Sequence, residues 1–249
     1  SKVNVEKEFN QKYLSNYFSA LFSFNNNNNV QALKYFNSSK FLIDKHDGFL
    51  KKYIFSLVEN RKVKQAIKEI KLSKKDKNRN FFEANILLIL DSFLEKNNQN
   101  IEILLSNLQT FQSEDVYEVV IYETLKSYVD LFGKKKISKS KEDFGKFSLI
   151  NKAFQSCYLN SKKTDSLFLN LINASSSVRD YSRYLFFYLS YLLNQGDKEA
   201  VEQISSTIDP INNGLLISQT KIWIDSQNYK KINKIFSCAN EAHLLGEFF

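Results

Sequence analysis

Two apolar stripes run side by side through the first helix-length stretch of the chain. Tyr13, Tyr17 and Leu21 form one, and Leu14, Phe18 and Phe22 the other. A spacing of four keeps each set on one side of an α-helix, so together they predict a helix from Tyr13 with a wide apolar face. The run Asn25 to Asn29 predicts a loop, because asparagine favours turns over helix interiors. A second helix is expected over Val30 to Leu42, with Leu33, Phe36 and the small Ser39 inward, and a turn over Asp44 to Asp47. The stripes recur thirty-six positions later as Phe49, Tyr53, Leu57 and Leu50, Ile54, Val58. The small–large–small triplet Ala32, Phe36, Ser39 recurs after only thirty-four, as Ala66, Ile70, Ser73. The difference predicts an asparagine loop about two residues longer than its counterpart, Glu59 to Lys62. Ala200, Ile204 and Thr207 restate the triplet far downstream. A self-similar unit of this length is the signature of a helical repeat.

Between the clear units the pattern loosens. Asn80 to Glu95 and Ile101 to Phe111 predict a helix pair around a polar loop at Lys96 to Asn100, and Val116 to Phe132 a long amphipathic helix. Gly133 to Lys146 is rich in lysine and serine and lacks periodicity, so it is expected to be an irregular connector. Pairing is expected to resume over Phe147 to Asn160 and Thr164 to Ala174. Val178 to Leu193 with Lys198 to Thr207 should follow, then Leu215 to Asp225 with Tyr229 to Ser237, and Glu241 opens another helix. Pro210 reads as a breaker after its pair.

Composition sharpens this picture. Six glycines and one proline in 249 residues are too few for a strand-and-turn fold and suit helices joined by short polar loops. With 43% hydrophobic residues, among them 22 Phe and 13 Tyr, the chain has ample core material. Abundant Lys, Asn, Phe, Ile and Tyr match an AT-rich coding bias, which accounts for much of the asparagine without function. No apolar run reaches membrane-spanning length. Cys157 and Cys238 form neither a disulfide framework nor a metal-ligand spacing, and are expected to be buried or half-buried free thiols. Met is absent even at position 1, and the chain stops on Phe248-Phe249 inside an apparent helix, so the natural protein is expected to extend past both ends. The cytoplasm is the expected compartment, with the periplasm as the alternative because the native start is expected upstream of Ser1.

The units resemble the tetratricopeptide-repeat (TPR) pattern. Leu50, Tyr53, Leu57, Ala66, Ile70 and Ser73 carry it in one helix pair. Tyr184, Phe187, Tyr191, Gly196, Ala200, Ile204 and Thr207 carry it in another, and Leu14, Tyr17, Leu21, Ala32, Phe36 and Ser39 in the first with its longer loop. Phe18, Ile54 and Tyr188 stand where the pattern has a small residue in the first helix. The order of motifs from Tyr13 to Ala66 is similar to the opening of bacterial TPR proteins of alphaproteobacterial type. The resemblance implies an all-α solenoid, residues 1–249 forming a single array of about seven stacked antiparallel helix pairs in a right-handed superhelix, irregular in the middle. It implies a non-enzymatic scaffold with no cofactor, binding a protein or peptide along the concave groove.

Three surfaces are candidates for function. On the groove side, Lys51, Lys52 and Glu59 lie off the apolar stripes of the second unit, and Asn16 and Ser19 occupy the corresponding stretch of the first. A lysine pair there suits a carboxylate. The second surface is basic. Lys45 to Arg79 holds twelve Lys/Arg against four Asp/Glu, a net +8 that equals the charge of the whole chain. Within it Lys64, Lys68, Lys71 and Lys75 form a stripe at helical spacing that suits nucleic-acid phosphate or an anionic membrane. The ordinary reading is a solvated outer face, and no aromatic interleaves the lysines. The third surface is the cluster Tyr181, Tyr184, Phe186, Phe187, Tyr188 and Tyr191, whose ordinary role is core packing. His46 and His243 are isolated, and no nucleophile elbow, phosphate loop or dinucleotide fingerprint occurs. A helical accessory region of a larger enzyme is the remaining alternative.

Overall fold

In the computed structural model the description covers residues 11–74, 76–111, 116–138, 143–174, 182–207, 219 and 222–246. These residues form helices and turns, with no strand among them. In chain order the helices are α1 (Gln11–Asn25), α2 (Asn29–Ser38), α3 (Phe49–Glu59), α4 (Val63–Leu72), α5 (Asp76–Arg79), α6 (Phe82–Leu94) and α7 (Asn98–Gln109). They continue with α8 (Val116–Lys134), α9 (Lys146–Tyr158), α10 (Thr164–Ala174), α11 (Ser182–Gln195), α12 (Lys198–Ser206), α13 (Tyr229–Ile235) and α14 (Glu241–Gly246). Residues 222–225 are also helical. Neighbours pack in pairs: α1 with α2, α3 with α4, α6 with α7, α9 with α10 and α11 with α12. The chain divides into two compact units, Ser1–Glu118 and Val119–Phe249.

One turn closes six hairpins among the described residues. Each first helix ends on a residue in the left-handed region: Asn27, Arg61, Lys96, Asn160, Gly196 and Gln227, with φ between 51° and 79°. The next N–H then reaches back five residues to a carbonyl. Asn28 bonds to Ser23, Lys62 to Leu57, Asn97 to Ser92, Ser161 to Ser156, Asp197 to Leu192 and Asn228 to Trp223, at 2.7–3.1 Å. This is the Schellman closure, which satisfies carbonyls that the helix end leaves open. In five of the six hairpins the residue after the left-handed one (Asn28, Lys62, Asn97, Asp197 and Asn228) also starts the second helix directly. Asn28, Asn97 and Asp197 accept from the N–H three residues on (Gln31, Asn100 and Ala200), the usual service of an N-cap side chain. Asn and Gly tolerate the left-handed conformation, whereas Arg61, Lys96 and Gln227 sit there at a cost of about 1 kcal/mol each. Arg61→Gly is therefore expected to raise the stability of the first unit by about 0.5–1 kcal/mol, read as a higher urea midpoint.

The turns supply the register of the repeat. Counting four residues from the start of the second helix leads, in five of the six hairpins, to Ala32, Ala66, Ile101, Val201 and Ile232, all 2% exposed or less, while Leu167 of α10 is only partly buried. Ala32 and Ala66 are fully buried, whereas Ala200 is only partly buried and Val201 beside it is fully enclosed.

The same register corrects the asparagine loop. Helix α1 runs on to Asn25 and α2 starts at Asn29, so the turn is Asn26 to Asn28, matching Asn60 to Lys62 with no extra residues. The thirty-six-residue offset of the stripes was a mismatch between non-equivalent faces. Of the second stripe in α1, Phe18 is 61% and Phe22 73% exposed, while Ala20 and Ser23 are buried in their stead. Ala20, not Phe18, is therefore equivalent to Ile54, and the first helix does carry a small residue there. In α11 Leu189, not Tyr188, takes that position, and both are buried.

Smaller differences follow from local chemistry. The polar loop after α6 shrinks to Glu95 to Asn97, because Asn97 caps α7. A four-residue helix, α5, precedes α6. Helix α8 continues through Gly133 to Lys134, so the expected connector is shorter at its start, and residues 139–142 of it lie outside the described residues. Pro210, the sequence before Ser182 in the α11 stretch, and most of Leu215 to Asp225 also lie outside them. Phe186 and Phe187 are buried among Phe154 and Phe236, with centroids 4.7–5.5 Å apart, so most of the aromatic cluster is core. Tyr181 lies outside the described residues.

The two cysteines are bonded to each other. Cys157 at the end of α9 and Cys238 after α13 form a disulfide across 81 residues, both half-cystines nearly buried. Their separation in sequence hid a proximity that the packing of α11 against α9 and α13 creates.

Candidate functional site

The residues singled out on the groove side do not converge. Asn16 and Ser19 belong to α1, and Lys51, Lys52 and Glu59 to α3, but turn register pairs Ser19 with Tyr53 and Asn16 with Leu50. Ser19 bonds locally, its Oγ donating to the Ser15 carbonyl at 3.1 Å. Lys51 is engaged inside the first unit: its Nζ lies 3.3 Å from Glu83 and 5.4–5.6 Å from the ring centres of Phe55 and Phe81. Glu59 accepts a long contact from Asn29 Nδ2, 3.4 Å. Lys52 makes no ion pair among the described residues.

The basic stripe is interrupted in the same way. Lys64 and Lys68 are exposed on α4. Lys71 is held by Asp91 at 2.5 Å and Glu95 at 3.2 Å, and these two carboxylates raise its pKa. Lys75 lies outside the described residues. Nearby, Lys77 faces Asp47 at 3.6 Å and Arg79 pairs with Asp76 at 2.5 Å. Much of the positive block is thus balanced within its own unit, although surface pairs of this kind add little stability.

A cleft of about 580 Å³ opens among α4, α5, α6 and α7. Helix α7 presents Asn100, Leu104 and Asn107 to it, at spacings of four and three that place them on one face. Helix α6 contributes Asn85 and Leu88, and Asp76, Lys77 and Arg79 of α5 and Asn80 after it line the cleft as well. Asn85 is 3% exposed. Its Nδ2 donates to the Phe81 carbonyl at 2.9 Å and lies 3.4 Å from Asn80 Oδ1, while its own Oδ1 accepts no bond from the described residues. Asn100 Nδ2 donates to Ser92 Oγ at 2.6 Å, which likewise leaves its carbonyl oxygen unclaimed among the described residues. A carboxamide carries a donor and an acceptor side by side, and so does each peptide unit. The cleft can therefore pair with the main chain of an extended peptide regardless of its side chains.

This set was visible in the sequence only as Asn100 and Asn107 flanking Leu104, and the coding bias toward asparagine concealed it. Other polar contacts are structural. Tyr53 OH donates to Asn37 Oδ1 at 2.7 Å and receives a weak contact from Gln65 at 3.5 Å. Burial first and Glu69 second push its pKa up to about 12, against a small lowering by Gln65. Tyr188 OH donates to Asp165 at 2.9 Å, and its pKa is raised by burial and then by that carboxylate. In the second unit Lys135 donates to Tyr158 OH, which donates to Glu241 Oε1 at 2.7 Å. The hydrogen bond to the Tyr158 hydroxyl raises the Lys135 pKa. No group of three metal-ligating side chains occurs among the described residues.

Compared with protein-family models, curated proteins and solved structures, the chain matches none.

Proposed function

We propose that this protein is a non-enzymatic scaffold for protein–protein interaction, a TPR-like array of antiparallel helix pairs that holds an extended peptide against its helices. The observation that carries this reading is the asparagine-lined cleft, where Asn85 and Asn100 present unclaimed carbonyl oxygens on rigid helices. The repeated turn supports the array, since hairpins of one design stack their apolar faces on neighbours.

The test is selection of ten-residue peptides from a random library on the full chain, followed by titration against variants. Asn85→Ala and Asn100→Ala are each expected to weaken binding by about tenfold, roughly the loss of 1–1.5 kcal/mol for a hydrogen bond left unmade. Selected peptides that bind the double variant as tightly as the native chain would remove the cleft from the proposal. Retention of nucleic acid in place of any peptide, lost with Lys64→Glu and Lys68→Glu, would favour the basic surface instead.

The Cys157–Cys238 disulfide favours an oxidising compartment, because such bonds persist outside the reducing cytosol. That supports the periplasmic alternative over the cytoplasmic expectation. No helix among the described residues is long and apolar enough to cross a membrane.

A further inference from the structure

The turn register lines up three hairpins of the first unit, and one row of equivalent positions carries charge that nothing in the unit balances. The row consists of the left-handed turn residue and the third and seventh residues after it, a spacing that keeps one side of the second helix. In the second hairpin these are Arg61, Lys64 and Lys68. In the first they are Asn27, Val30 and Lys34, and in the third Lys96, Gln99 and Ile103. Every one of them is exposed, Val30 at 74% and Ile103 at 55%. The row holds Lys34, Arg61, Lys64, Lys68 and Lys96 and no carboxylate, and none of these cations makes an ion pair among the described residues.

The acids of these hairpins are mostly used elsewhere. Glu69, the one carboxylate of α4, is buried and receives Lys40 at 2.6 Å. Asp91 and Glu95 hold Lys71, which stands off the row. Glu59 lies 3.4 Å from Asn29 Nδ2. Glu102 is the acid beside the row, about 100° round α7 from Ile103. Helix α2 packs on α3 and α4 on α6, so hairpins built on one turn stack and their equivalent positions fall on one side of the unit. Leu72, four residues beyond Lys68 and 61% exposed, extends the row by a turn of α4. The result is a face of unpaired cations interspersed with exposed aliphatic side chains.

We infer that this row docks the protein on an anionic lipid bilayer, with the cations among the headgroups and Val30, Leu72 and Ile103 reaching the acyl boundary. Three observations choose lipid over nucleic acid, the other polyanion that the cations suit. Exposed aliphatic side chains gain nothing against a sugar–phosphate backbone, whereas a bilayer interface takes them up. No aromatic stands in the row to stack on bases. The Cys157–Cys238 disulfide favours an oxidising compartment, where lipid headgroups and not nucleic acid are the resident polyanion. No residue of the row lines the asparagine cleft, so the inference does not depend on the peptide reading.

The test is co-sedimentation of the full chain with vesicles of phosphatidylcholine alone, or with one-third phosphatidylglycerol, at low ionic strength. The anionic vesicles are expected to bind at least tenfold more tightly, with an affinity that falls steeply as salt is added. A cation near such a surface contributes about fivefold, so Lys64→Glu with Lys68→Glu is expected to weaken binding at least tenfold. Val30→Ser with Ile103→Ser is expected to weaken it several-fold and to leave the salt dependence unchanged. Both double variants should keep their helical circular dichroism, since all four side chains are exposed. Asn85→Ala should leave vesicle binding as it is, and duplex DNA at equal phosphate concentration should bind the native chain more weakly than the anionic vesicles do. Equal binding to the two kinds of vesicle, binding to neither, or undiminished binding by the lysine double variant would overturn the inference. So would tighter binding to the DNA that the Val30 and Ile103 substitutions leave intact, which would assign the row to nucleic acid.

Discussion

Phe36→Ala is expected to lower the unfolding free energy of the first unit by about 3–5 kcal/mol, a large share of what a unit of this size has. Phe36 is fully buried at the meeting point of two hairpins. Its ring centre lies 6.2 Å from Tyr17 and 6.5 Å from Phe24 within its own hairpin, and 5.6 Å from Phe49 and 6.2 Å from Tyr53 in the next. Removing it leaves a cavity walled by rigid rings that cannot collapse inward, so the loss of transfer free energy and the cavity cost add. Edge-to-face contacts contribute beyond buried area, which makes Phe36→Leu worse than its volume change suggests. Urea unfolding followed by circular dichroism checks the size of the effect, and amide exchange checks its place. Protection should fall in both α1/α2 and α3/α4, because the ring belongs to both. Loss confined to α1/α2 would show that the hairpins are energetically separate.

Reduction of the disulfide, or Cys157→Ser, is expected to cost the second unit about 4 kcal/mol. Closing a loop of 81 residues removes that much chain entropy from the unfolded state in the loop-closure account. The folded side changes little, because two thiols at 5–6% exposure remain packed as small apolar groups. The single tryptophan, Trp223, lies in this unit and reports its unfolding by fluorescence. Its urea midpoint should fall on adding dithiothreitol, while amide exchange over α1 to α7, which contain no cysteine, should not respond. An unchanged midpoint in reductant would mean that the two thiols are not joined in solution.

Most of the helices could be read from the sequence because each carries a strong local period. The face that each period marks was harder to read. In α3 the stripes point into the core up to their last residue, since Phe49, Leu50, Tyr53, Ile54 and Leu57 are all 1% exposed or less while Val58 is exposed. In α1 an equally regular stripe ends in two exposed phenylalanines, since periodicity records that one side of a helix is apolar and says nothing about what covers it. Matching the stripes by their aromatics therefore slipped the register by two and invented a longer loop. The turn residues carried the true register. Asn27, Arg61 and Lys96 share no side-chain chemistry, however, and what they share is a backbone angle that no residue type announces except glycine.

The candidate site was less legible still. A cleft assembled from four helices has no single spacing, and only Asn100, Leu104 and Asn107 lie on one element. Lys71 shows the opposite failure. Its place in a lysine stripe was plain, yet its partners Asp91 and Glu95 are one hairpin away, so a charge that looked available is already matched. The disulfide, 81 residues long, is a purely tertiary fact of the same kind.

The shared turn also bears on how fast the chain reaches its structure. Each closure joins atoms only five residues apart, and the cap that starts the next helix follows at once in most hairpins, so a hairpin needs no distant segment to begin forming. Contacts this short in sequence place the first unit toward the rapid end of the range for domains. The half-cystines, by contrast, meet only after α11 has docked, so their oxidation can lock the second unit but cannot guide it.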